Sequence, residues 1–269
     1  MIIHNFDPVL VDFGFFQIRW YSLAYIVGII AGWIYANKII KSTSKNKYNF
    51  KQIATKEFDD LIIYLLIGII LGGRIGYIVF YNFEYYIQNF YEIFKIWKGG
   101  MSFHGGLIGV VLSTIFFCKK TGINFFKCTD IICCVAPIGI FLGRIANFIN
   151  GELYGKITTL PWGVIFPYGG NVSRHPSQIY EAILEGIVLF FIINFLALKK
   201  EILFKTGFIS SYFLIFYSIL RLVSESFREP DIHIGLIFNY FSMGALLSLL
   251  TIIIGLFIFF FIKKNEQNN

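Results

Sequence analysis

Seven long apolar runs, broken by short polar stretches, set the pattern of this chain. They cover residues 21–40, 58–81, 103–118, 128–149, 179–198, 207–226 and 236–262. About 20 apolar residues in a helix cross the hydrocarbon of a bilayer. The pattern therefore predicts an all-α integral membrane protein, a seven-transmembrane-helix bundle, with the third run short and the seventh long. Glycines recur four apart at Gly28/Gly32, Gly68/Gly72/Gly76, Gly105/Gly109 and Gly139/Gly143. Small residues at that spacing let helix backbones touch where no hydrophobic effect drives association. Nothing divides the runs into separate domains, so residues 1–269 read as one transmembrane domain with short loops near 82–102 and 150–178.

Composition agrees with that pattern and narrows it. Of 269 residues, 57% are hydrophobic and only 14% charged, and the mean hydropathy is +0.69. A soluble domain carries about 25% charged residues, so a cytosolic globule, a disordered chain and a disulfide-stapled secreted domain are all excluded. The first twenty residues hold Asp7, Pro8 and Asp12 and lack a basic opening, so no cleaved signal peptide is expected. Cys118, Cys128, Cys133 and Cys134 lack metal-ligand spacing and read as small buried apolar residues.

The net charge of +7 does not point to nucleic acid, because the lysines fall in short blocks between the apolar runs. Lys38, Lys41, Lys45, Lys47, Lys51 and Lys56 surround the first loop. Lys119, Lys120 and Lys127 mark the third, Lys199, Lys200 and Lys205 the fifth, and Lys263 and Lys264 the tail. Basic loops stay on the cytoplasmic side. The N-terminus is expected outside and the C-terminus in the cytoplasm.

Arginine is distributed differently. Arg19, Arg74, Arg144, Arg174, Arg221 and Arg228 all fall in outer loops or the outer parts of spans, while only Lys95, Lys98 and Lys156 join them there. Arginine offers a planar fork of donors that grips phosphate at two points and stays ionised. Arg74, Arg144 and Arg221 lie inside spans two, four and six, where a central arginine costs about 2.5–3.5 kcal/mol. Snorkelling or a structural ion pair is one reading of such a charge, and a functional site the other.

The neighbours favour function at Arg144 and Arg221. Arg144 and Asn147 share a helical face, and Gly151 and Gly155 bracket Glu152 in a tight outer turn. Tyr217, Arg221 and Glu225 form one stripe on span six, where Glu225 can hold the guanidinium. Glu181 and Glu185 form a stripe on span five that could meet Arg74 or Arg174, although spacing does not fix which carboxylate meets which arginine. His104 stands in Gly99-Gly100-Met101-Ser102-Phe103-His104-Gly105-Gly106, a glycine frame that admits a ligand to the backbone. His4, His175 and His233 lack such a frame, and no histidine pair has metal spacing. The residues together imply an outward-opening cavity for an anionic phospholipid, with its phosphate between Arg144 and Arg221. No cofactor and no metal is implied.

Six segments go further. Ile18-Arg19-Trp20-Tyr21, residues 71–77, 101–109 and 143–155, Arg174-His175-Pro176-Ser177-Gln178-Ile179-Tyr180-Glu181 and Phe227-Arg228-Glu229-Pro230-Asp231 resemble, in order, the bacterial prolipoprotein diacylglyceryl transferases. The segment 143–155 is similar to the signature of that family. Ala146 stands where the family often has Gly, Tyr154 where it often has Trp, and 156–172 is short beside longer members.

The resemblance implies a bacterial cytoplasmic (inner) membrane enzyme with its active site on the extracytoplasmic side. Its expected partners are phosphatidylglycerol, the lipobox segment of a prolipoprotein signal peptide, and the bilayer. The implied reaction moves the diacylglyceryl group onto the lipobox cysteine as a thioether and releases glycerol phosphate. A positioned histidine suits removal of a thiol proton, which makes His104 the expected base or, alternatively, a headgroup contact. Arg144 and Arg221 would stabilise the departing phosphate. Tyr21, Asn147, Glu152, Gly155 and Glu225 match family positions important for activity, and Arg74 and Tyr217 complete the expected lipid-binding set. Tyr21 and Asn147 would hydrogen-bond the headgroup, while Glu152 would orient Arg144 or the loop. The rival readings are a transporter for an anionic lipid or solute, and a different membrane transferase or phospholipid phosphatase.

Overall fold

The computed structural model describes residues 2–14, 17–43, 53–230, 235, 237 and 240–267. Lys45, Lys47, Lys51, Asp231, His233 and most of the opening of the seventh run lie outside the described residues. Among the described residues, seven helices are long and apolar enough to cross a membrane: Trp20–Thr43, Thr55–Tyr81, Phe103–Thr121, Phe125–Ile149, Ser177–Lys199, Phe208–Glu225 and Met243–Gln267. They are numbered here as spans one to seven. Spans one to five cover their expected runs with at most three further residues at an end, and span six is one residue shorter at each end than its run. Span seven begins at Met243, seven residues later than expected, and ends five residues later. The chain forms two compact units, residues 1–36 with 130–269 and residues 37–129.

In the smaller unit, spans two and three pack through glycine. A Cβ added at Gly68 would stand 2.5 Å from the Gly109 carbonyl oxygen, and one at Gly76 would stand 2.7 Å from Gly105 Cα. Backbone meets backbone there, so no side chain fits. Ser102 starts span three by accepting the Gly105 N–H at 3.2 Å, one of the orphan donors of a helix start. The Ser102 N–H in turn donates to the Gly73 carbonyl at 2.9 Å. At the other end of this unit the Cys118 and Cys128 sulfurs lie 3.6 Å apart, both buried.

In the larger unit, a Cβ at Gly28 would come within 3.3 Å of Gly139 Cα, as the glycine spacing implies. Gly143 departs from that expectation, because a Cβ there meets nothing within 4 Å. Another contact comes from Gly186, whose added Cβ would lie 2.6 Å from Phe141 Cβ, so span five presses directly on span four. Asp130, 1% exposed, fixes the start of span six by accepting the Gly207 and Ser210 N–H groups at 2.6 and 2.8 Å. Span five contains wide π-helical turns over Ala182–Val188 and Phe195–Lys199, a local widening often found at functional sites.

Four short strands supplement the helices. Strand β1 (Ile2–Ile3) runs parallel to β4 (Val164–Ile165), and β2 (Val9–Asp12) pairs antiparallel with β3 (Gln17–Arg19). His4 extends the first pairing by donating its N–H to Ile165 at 2.9 Å. Its Nε2 meets the Phe148 carbonyl at 2.6 Å. The N-terminal segment is thereby tied to the end of span four.

Candidate functional site

Three spans bring ionised side chains to one place in the larger unit. Span four supplies Arg144, span five Glu181 and Glu185, and span six Arg221 and Glu225. Arg144 Nη1 lies 2.8 Å from Glu181 Oε2, and its Nη2 3.1 Å from Glu185 Oε2. Arg221 Nη1 lies 3.0 Å from Glu181 Oε1 and 3.2 Å from Glu185 Oε1. Its Nη2 meets Glu225 Oε2 at 2.5 Å, one helical turn along the same stripe. Arg228, just past span six, adds a contact to Glu181 Oε1 at 3.4 Å.

Hydroxyls complete the cluster. Ser224 donates to Glu185 Oε1 at 2.9 Å, and Ser242 donates to Glu225 Oε1 at 2.6 Å. Glu181 and Glu185 are fully buried, whereas the Arg144 side chain keeps 19% of its surface exposed. Three guanidiniums face three carboxylates, so the cluster sums to zero charge. Buried charges cost several kcal/mol each unless paired and hydrogen-bonded, and here each of the six has a partner.

This settles a pairing that spacing left open. The Glu181/Glu185 stripe pairs with Arg144, Arg221 and Arg228, not with Arg74 or Arg174. Helical spacing identifies a face but not the neighbour that the face meets. Arg174 is held elsewhere, donating to Gly169 at 2.8 Å and Gly155 at 3.2 Å. It also pairs with Glu229 at 3.3 Å and lies over the Tyr154 ring.

The turn after span four is built around Glu152. Its Oε1 accepts the Asn147 amide at 2.8 Å and the Asn150 amide at 3.3 Å. Its carbonyl accepts Gln178 Nε2 at 2.5 Å. Gly151 and Leu153, on either side, both have positive φ (68° and 58°), a region costly for leucine. Ser177 supports that turn by donating to the Leu153 carbonyl at 2.9 Å. Gly155 is enclosed, since an added Cβ would fall 2.5 Å from the Phe227 carbonyl oxygen and 2.7 Å from His175 Cβ. Burial, with Lys156 nearby, holds the His175 imidazole below its ordinary pKa. The Tyr21 ring lies tilted against Tyr25, with ring centroids 5.2 Å apart. Tyr217 stacks parallel to Phe213 at 5.9 Å.

Arg74 and His104 belong to the smaller unit. Arg74 is 4% exposed and is caged by main-chain carbonyls. Its Nε donates to Ile93, Nη1 to Gly99 and Gly100, and Nη2 to Glu92 and Lys95, over 2.5–3.4 Å. All five donors are thus used within the loop that precedes span three, which leaves no fork for a lipid phosphate. The Tyr86 ring lies 5.0 Å from the same guanidinium. His104 is exposed in the first turn of span three, with its ring edge-on to Phe103. Among the described residues, no group of three or more His, Cys, Asp or Glu side chains could hold a metal ion.

The sequence reading did not single out the bridging role of Glu181 and Glu185, nor Arg228, Gln178 or Ser224. One signal was present for Arg228: it stands in the segment Phe227-Arg228-Glu229-Pro230-Asp231 that carries the family resemblance.

Comparison with known proteins adds an independent line. The family model described as prolipoprotein diacylglyceryl transferase matches residues 8–261. A Rickettsia felis protein named phosphatidylglycerol–prolipoprotein diacylglyceryl transferase is 50% identical over 256 residues, covering 95% of this chain and 96% of that protein. Its Rickettsia typhi namesake gives the same identity and coverage. A Rickettsia bellii protein of the same name is 48% identical over 258 residues, or 96% of each chain.

Proposed function

The chain belongs to the prolipoprotein diacylglyceryl transferase family, and from that premise we propose how its residues carry out the transfer. It is a multi-pass membrane transferase that moves the diacylglyceryl group of phosphatidylglycerol to prolipoprotein. The acceptor is the thiol of the lipobox cysteine. The C–O bond between the diacylglycerol carbon and phosphate breaks, an S–C thioether forms, and glycerol phosphate leaves with the C–O electron pair.

The observation that supports this most is the convergence of Arg144 and Arg221 on one pair of buried carboxylates. Carboxylates already holding both guanidiniums cost the reaction no reorganisation when charge develops on the phosphate, and preorganised donors of this kind dominate many rate enhancements. Arg144, partly exposed, meets the phosphate with its remaining donors. Arg221, steadied by Glu225, supports it from the other side. His104 takes the thiol proton. Asn147, held by Glu152, and Tyr21 bind the headgroup, and Tyr217 lines the same site. Gly155 keeps the turn closed against His175 and Phe227. Arg74 fastens the loop before His104.

Residues 1–269 form a single transmembrane catalytic domain in the bacterial cytoplasmic membrane, with the N-terminus and active site extracytoplasmic and the C-terminus in the cytoplasm. Loops near 82–102 and 150–178 lie outside. The lysines at the ends of spans one, three, five and seven support that orientation.

The test supplies purified protein with phosphatidylglycerol and a lipobox peptide. The peptide gains the mass of one diacylglyceryl group, and a Cys→Ser peptide does not. An unmodified cysteine peptide rejects the reading.

A further inference from the structure

Arg144, Arg221 and Arg228 converge on Glu181, at 2.8, 3.0 and 3.4 Å. It is fully buried, near the start of span five, and the three guanidiniums reach it from span four, span six and the segment past span six. Several guanidiniums around one carboxylate reproduce the surroundings of a bound phosphate. Without such an anion the three cations would repel one another in a site of low dielectric. Glu185 and Glu225 supply the other two negative charges and bring the cluster to neutrality.

We propose that Glu181 is a positioning residue of the transfer: it gathers the three guanidiniums and, by cancelling one of their charges, sets how tightly they hold phosphate. The proposal rests on the reading that Arg144 and Arg221 meet the lipid phosphate. The substrate diester carries one negative charge, and the glycerol phosphate product can carry two. A cluster with surplus positive charge would hold the product longer than the substrate. The neutral cluster keeps the guanidiniums aligned yet lets the product go.

The experiment measures steady-state transfer to a lipobox peptide from phosphatidylglycerol, with added glycerol phosphate as inhibitor. Glu181→Gln leaves the cluster at +1, so the inhibition constant falls about fivefold or more while kcat also drops. Glu181→Asp retains the charge, so its inhibition constant stays near that of the unmodified protein. Arg228→Gln leaves the cluster at −1 and raises the inhibition constant by a similar factor. A merely structural Glu181 would lower kcat without opposite shifts in the two variants. Unchanged or weaker inhibition in Glu181→Gln overturns the proposal. If that variant does not fold, unchanged inhibition in Arg228→Gln overturns it equally. Absence of transfer by the unmodified protein would instead reject the function itself, so the two failures are distinct.

Discussion

Arg144 and Glu185, 41 residues apart in sequence, stand 3.1 Å apart in the folded chain. That pairing links span four to span five and, through the shared carboxylate, to Arg221 on span six. The guanidiniums are therefore held in place before any lipid arrives. A charged side chain that merely snorkelled would point to the headgroups without a fixed partner.

Arg74 separates a fastening role from a binding role. Its five donors all go to carbonyls between Glu92 and Gly100. Arg74→Lys keeps one charge but cannot satisfy five acceptors. The expected result is a loss of kcat of about tenfold or more, with KM for phosphatidylglycerol little changed and a lower Tm in detergent, since unsatisfied buried groups cost about 1–3 kcal/mol each. A raised KM with unchanged Tm would return Arg74 to the lipid-binding set.

The glycine contacts predict contrasting stabilities. Gly76→Ala places a methyl 2.7 Å from Gly105 Cα and should cost about 1–3 kcal/mol by overpacking. Gly139→Ala meets nothing within 4 Å and should be neutral or gain up to about 1 kcal/mol from helix propensity. Thermal unfolding of both variants in the same detergent checks the difference, and equal Tm values would refute the packing account.

Much of this was legible in the sequence, for a physical reason. Crossing a bilayer forces long apolar runs, so all seven helices can be read from hydropathy, and the glycine faces of spans two and three from four-residue spacing. Tyr217, Arg221 and Glu225 were equally readable, because one helix places them on one stripe. Partners between helices were not. Glu181 and Glu185 share a face, but nothing local says whether that face meets Arg74, Arg174 or Arg144. The carbonyl cage of Arg74 was hidden for a related reason, since backbone acceptors carry no residue signature. The strand pairing of Ile2–Ile3 with Val164–Ile165 joins segments too short to show a period.

His104 distinguishes proton transfer from headgroup contact. As the base, its replacement by Asn lowers kcat by about 10²–10⁴ and leaves KM for phosphatidylglycerol near its original value. A variant with kcat preserved and KM raised would make His104 a lipid contact instead. Rates measured over a range of lipid concentrations decide between them.

The central claim is that guanidinium forks, and not simply positive charge, hold the lipid phosphate through the transfer. Arg144→Lys tests it most directly, because lysine keeps the charge and loses the fork. The account predicts kcat/KM for phosphatidylglycerol lower by about 10²–10³, in a protein that still purifies folded from membranes. A lysine variant within about twofold of the original rate would contradict it.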